Sequence, residues 1–98
     1  MAITQPAYVA LPYNTRSRLN ISADTVIKAS KGYIAVVNVL VAGAAGEIHD
    51  CATVAAAANA NRVAAIPATV GIHVLNFPCA NGIVYKVGAG QVISVSYL

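Results

Sequence analysis

GYIAVVNVLVAGAAGEIHD, residues 32–50, opens with ten residues dominated by Val, Ile, Leu and Ala and carrying no charge. β-Branched side chains at this density suit a pleated strand rather than a helix. The run stops at Gly43-Ala44-Ala45-Gly46, a turn signal, and a second strand follows over 47–51. Along the first strand Tyr33, Ala35, Val37, Val39 and Val41 fall on one face. Ile34, Val36, Asn38 and Leu40 fall on the other. Both faces are apolar. An antiparallel sheet commonly wets one face, so this strand predicts a second covering layer, for which a neighbouring subunit is the natural candidate.

The same pattern extends in both directions. Strands are expected over 17–22, 25–29, 33–42, 47–51, 62–67, 71–77, 83–87 and 91–98. In the last of these Ile93, Val95 and Tyr97 share one face and Ser94 and Ser96 the other, the mark of a one-sided strand. Asn81-Gly82 suits a type I′ hairpin between the sixth and seventh strands. Gly88-Ala89-Gly90, Ser30-Lys31-Gly32 and 43–46 are expected to close further hairpins. Short turns without intervening helices favour a meander or a Greek key. The expected fold is all-β, an antiparallel β-sandwich or jelly-roll-like single domain over 17–98. Residues 1–16, with Pro6 and Pro12 among polar residues, read as an extended N-terminal arm. Residues 52–60, ATVAAAANA, are rich in the best helix former but too few for a free-standing helix. A loop with one or two helical turns, stopped by Asn59 and Asn61, is expected there.

Composition narrows the function. Of 98 residues 58% are hydrophobic and only 9% charged, against about 25% charged in a typical soluble domain. Mean hydropathy is +0.69. A domain this small buries only about 60–65% of its unfolded surface, so apolar side chains are left to face protein or membrane. The nearly apolar run 33–45 is shorter than the ~20 residues a spanning helix needs, and no basic segment leads into an apolar one as in a secretory signal. Protein is the expected partner. Arg16, Arg18, Lys28 and Lys31 are four of six basic residues and gather near the N-terminus. They form no run and have no interleaved aromatics, so they read as a solvated edge rather than a nucleic-acid site.

Candidate chemistry is sparse. His49-Asp50-Cys51 places a histidine beside a cysteine, but a thiol nucleophile needs a base within reach and a third group to orient it. On a strand His49 and Cys51 would share one face with Asp50 on the other. Asp50 is expected to accept backbone hydrogen bonds from the alanine-rich loop that follows it. His49, Cys51, His73 and Cys79 suffice in number for zinc, but H-x-C and H-x5-C match no finger spacing. Cys51 and Cys79 could form a disulfide, although without a secretory signal free thiols are the commoner state. The glycine-rich turns precede strands rather than helices and so cradle no phosphate. Asp24 and Glu47 have no partner motif. Asn20-Ile21-Ser22 matches the glycosylation pattern, which carries weight only in a secreted chain. Five tyrosines and Phe77 are available to packing or to an interface. No catalytic residue, metal site or cofactor is expected.

From Asn20 onward the chain resembles small structural proteins of tailed bacteriophages and prophages, of the capsid-decoration (head cement) type. The likeness rests on TVIKASKGYIAVVNVLVAGAAGEIHD (25–50), AAIPATVGI (64–72) and PCANGIVYKVGAGQVISVSY (78–97). The order AG-x-x-G-x-I-x-D, AAIP, NGIV, GAGQ is its most distinctive feature. The resemblance implies a β-sandwich at the capsid surface of a virion, made in the host cytoplasm. It also implies the major capsid protein as partner, and a homo-oligomer, a trimer first and a dimer second. Other readings are a tail or head-fibre base component and a small carbohydrate-binding β-module, the latter disfavoured by the absence of Trp.

Overall fold

The computed structural model describes residues 15–98. The expected arm lies outside these apart from its last two residues, where the first strand begins. Eight strands follow in order: β1 Arg16–Ile21, β2 Thr25–Lys28, β3 Gly32–Val41, β4 Gly46–His49, β5 Arg62–Ile66, β6 Gly71–Cys79, β7 Ile83–Lys86 and β8 Val92–Tyr97. All are antiparallel, and they form two four-stranded sheets, β1-β8-β3-β6 and β2-β7-β4-β5. Among the described residues no helix is long and apolar enough to cross a membrane.

The strand orders have a simple origin. β1 pairs with β8, β2 with β7, β3 with β6 and β4 with β5. This is one long antiparallel ribbon folded at the β4–β5 connection. Rolling the ribbon adds the β3–β8 and β4–β7 pairs and splits it into two facing sheets. The result is a jelly roll.

This topology corrects the reading of the turns. Apart from β4 and β5, consecutive strands lie in different sheets, so 29–31, 42–45, 80–82 and 87–91 are crossings rather than hairpins, and no meander exists. Asn81 does not adopt a positive φ, as a type I′ turn would require. A short glycine-containing link looks the same locally whether it returns to its own sheet or passes to the other. Gly43 shows why glycine is needed at such a crossing. Its φ is +49°, and a Cβ there would lie 2.3 Å from the Gln91 backbone nitrogen.

The core lies between the sheets and is almost entirely Ile and Val: Ile21, Ile34, Val37, Val39, Ile93 and Val95 from one sheet, Ile27, Ile48, Ile66 and Ile83 from the other. The expected alternation of β8 holds, with Ile93 and Val95 buried. That of β3 does not. A register shift between Ile34 and Val36 inserts Ala35 as an extra residue against β8, so Ile34, Val37 and Val39 all point inward. Matching bulges occur on β1 at Leu19-Asn20 and on β6 at Leu75-Asn76. Each uses an asparagine with positive φ, Asn20 at 55° and Asn76 at 48°, a conformation asparagine tolerates better than most residues.

One polar pair sits inside this core. The Tyr85 hydroxyl donates to Gln91 Oε1, and Gln91 Nε2 donates to the Pro67 carbonyl at 3.1 Å. Both side chains are fully buried, and burial pushes the Tyr85 phenol up. The pair ties β7 to the 67–70 and 87–91 crossings at one end of the barrel-like roll. Tyr85→Phe leaves Gln91 Oε1 without its donor and is expected to cost about 1–3 kcal/mol in urea unfolding. Gly43→Ala is expected to cost roughly 2–4 kcal/mol, since it adds both φ strain and overlap with backbone.

Candidate interaction surface

The residues most suggestive of chemistry are committed to structure. β4 ends at His49, so Asp50 and Cys51 leave the strand and the expected His49–Cys51 face does not form. His49 is buried, and its ring nitrogens are both engaged. Nδ1 lies 2.9 Å from Asn61 Oδ1 and 3.0 Å from the Ala58 carbonyl. The amide of Asn61 is oriented by its own bonds: Oδ1 accepts from Ala58 N–H and Nδ2 donates to the Ala56 carbonyl. Nε2 faces Glu47 Oε1 at 2.9 Å, and Glu47 Oε2 accepts from Arg62 at 2.8 Å. The hydrogen bond from His49, then that from Arg62, hold the Glu47 carboxyl below its usual range.

Cys51 donates to the Thr53 carbonyl at 3.3 Å. Cys51 and Cys79 are free and buried. Burial raises both thiols, Cys79 to about 11, which opposes the thiolate that a nucleophile or metal ligand requires. No group of three metal-ligating side chains occurs among the described residues. His73 bonds the Thr69 carbonyl.

Asp50 has a different partner from the expected one. Its carboxylate accepts three backbone N–H groups from the β6–β7 crossing: Ala80 at 3.0 Å, Asn81 at 2.7 Å and Gly82 at 3.3 Å. Only its own N–H reaches the alanine-rich segment, at the Asn61 carbonyl. Burial opposes ionisation of Asp50, but the three donors outweigh it and its pKa is lowered. Asp24 plays the same part at the opposite end, accepting from Val87 N–H and Lys86 Nζ, which lower its pKa in turn.

The alanine-rich segment forms two 3-10 turns, Val54–Ala56 and Asn59–Asn61, in agreement with the reading of 52–60. The first turn is capped by the Thr53 hydroxyl and packs on β7. The segment lies against the outer side of β7 and β4, where His49 and Val84 sit side by side and both are buried. The second layer expected over β3 is not supplied by the described residues, and the alanine-rich segment packs on the other sheet.

Among the described residues nothing covers the outer side of β1-β8-β3-β6. Its members follow from the register, since directly paired residues share a face. Val36 lies between Val74 and Ser96, Asn38 lies between Ile72 and Ser94, and Ser17 lies beside Ser96. Ile72 is 68% exposed, Val74 64% and Leu19, in the β1 bulge, 70%. Leu40 is exposed too. None of the nine charged residues lies on this face. Arg16 and Arg18 pair with Tyr97 and Val95 on the inner side, and the other seven belong to the second sheet or to the connections. Arg16 and Lys28, with Ile27, Tyr97 and Leu98, line an open groove between the sheets. The basic residues of the N-terminal region thus flank one end of the sandwich. No family model, curated protein or solved structure matches this chain.

Acid should test the ties at both ends. Asp24, Glu47 and Asp50 all have lowered folded pKa values, so their contributions are complete above the unfolded carboxylate range of about 3.9–4.3 and vanish as pH falls through the folded values. The melting temperature is expected to be flat from neutral pH to about 5 and to drop below about 4. Asp50→Asn is expected to lower stability at neutral pH by about 1–3 kcal/mol and to flatten that acid limb.

Proposed function

We propose that this protein is a structural component of a phage virion that decorates and stabilises the major capsid lattice through protein–protein contacts. The observation that carries the reading is the uncharged outer face of β1-β8-β3-β6, built of Val36, Leu40, Ile72, Val74 and Leu19 with serine and asparagine between them. Contiguous exposed apolar surface marks interaction sites on soluble proteins. Where the titratable side chains have partners, those partners are structural, as for His49, Glu47, Asp24 and Asp50. The jelly roll is a recurrent capsid architecture, which is an argument by analogy of fold alone. The resemblance of 25–50, 64–72 and 78–97 to capsid-decoration proteins supplies the virion setting. In that setting a domain that binds only the assembled shell stabilises the shell by mass action.

Jelly rolls also include lectins, but the most exposed side chains of this face, Leu19, Ile72 and Val74, are aliphatic, whereas a sugar platform calls for aromatic rings. Quantitative mass spectrometry of purified particles from cells that encode the chain tests the proposal. Hundreds of copies per particle are expected. A dozen or fewer would move the protein to the tail or head-fibre base, and absence from particles would overturn the reading.

A further inference from the structure

We propose that Asn81 is a latent deamidation site, kept intact in the folded protein by the grip of Asp50 on the Gly82 N–H.

The chemistry needs only the chain and water. The main-chain nitrogen of Gly82 attacks Asn81 Cγ and closes a succinimide ring. The Cγ–Nδ2 bond breaks, and the proton lost by Gly82 ends, by way of solvent, on the departing ammonia. Water then adds at either ring carbonyl, leaving aspartate or isoaspartate at position 81. Nothing is oxidised or reduced. A side chain on the following residue hinders ring closure, and glycine has none. Among the asparagines of the chain only Asn81 precedes a glycine.

The fold imposes this reactive pair. A Cβ on Gly82 would lie 2.4 Å from the Cys51 carbonyl oxygen and 2.8 Å from that of Lys28, so no larger residue fits there to remove the hazard. Asn81 is exposed, and no described residue bonds its carboxamide. Water therefore has access to the group that is lost.

Asp50 holds the reaction back in two ways. Its Oδ1 accepts from Asn81 N–H at 2.7 Å and from Gly82 N–H at 3.3 Å, while Oδ2 accepts from Ala80 N–H at 3.0 Å. A carboxylate against the Gly82 nitrogen opposes loss of its proton, because the amide anion would face a like charge. The bonds on either side of Asn81 also fix the main chain, so the Gly82 nitrogen, itself buried, is kept from swinging towards Cγ. Reaction then runs from the locally opened crossing, at a rate set by how often it opens. Conversion is self-reinforcing. It adds negative charge to the residue whose N–H Asp50 grips most closely. Isoaspartate also routes the main chain through the side-chain methylene, so the donors no longer converge on one carboxylate. A copy that has opened here is marked and recloses less well.

The full chain, incubated at mildly alkaline pH and mapped by mass spectrometry that separates aspartate from isoaspartate at position 81, reads this directly. Conversion in urea is expected to be at least about tenfold faster than in the folded parent. Asp50→Ala, shown to be folded by circular dichroism, is expected to convert at least about tenfold faster than the parent without denaturant. Asp50→Asn keeps an acceptor without the charge and should fall between them; it decides the matter if Asp50→Ala does not fold. Tyr85→Phe weakens the opposite end of the sandwich and should convert within about twofold of the parent, which separates release of this crossing from general loss of stability. A folded parent that converts as fast as in urea, Asp50 variants no faster than the parent, or Tyr85→Phe as fast as the Asp50 variants would each overturn the proposal.

Discussion

Every short connection in this chain passes from one sheet to the other, and the fold depends on holding those crossings. The apolar residues between the sheets are Ile and Val, which bring the layers together without specifying how their ends meet. Direction comes from a few polar groups. At one end the Asp50 carboxylate gathers three N–H groups of the β6–β7 crossing. At the other, Asp24 holds Val87 and Lys86, while Gln91 links Tyr85 to Pro67. An anionic acceptor strengthens such bonds, and a carboxylate offers enough lone pairs for several donors.

The consequence is a molecule with two unlike outer surfaces. One sheet carries the Glu47–Arg62 and His49–Asn61 contacts and is roofed by the chain's own alanine-rich segment. Small side chains suit that roof, because they let its backbone lie close to β7. The outer face of the other sheet carries no charge and is covered by no described residue. The apolar surplus evident in the composition is thus concentrated on one side of the sandwich. That asymmetry gives the proposed contacts a location.

The bulges connect the two surfaces. Inserting Ala35 against β8 lets Ile34 and Val37 both enter the core, which raises the burial β3 achieves. The bulges at Asn20 and Asn76 distort both edge strands and leave the face as the accessible part of the sheet. Part of this face was legible beforehand, since Val36 and Leu40 stand out as a second apolar set on β3. Ile72 and Val74 were not, because the alternation of 71–77 leaves open whether they or His73 and Leu75 point outward. Only pairing of Val36 with Val74 and Asn38 with Ile72 settles it.

Sequence alone determined the eight strands, to within two residues at nearly every boundary, and the all-β class. Period-two apolar patterning and glycine punctuation are local properties, and a strand's position depends on little else. It also determined the one-sidedness of β8 and the short turns in 52–60. Tertiary structure alone decided which strands pair, because the partners are remote: Asn20 donates to Ser94 from 74 positions away. The same remoteness hid the partner of Asp50, which is nearer in space to Ala80 and Asn81 than to the loop that follows it in the chain. Which sheet is roofed and which is bare follows from the rolling of the ribbon, a global choice made by burial of the whole apolar set at once.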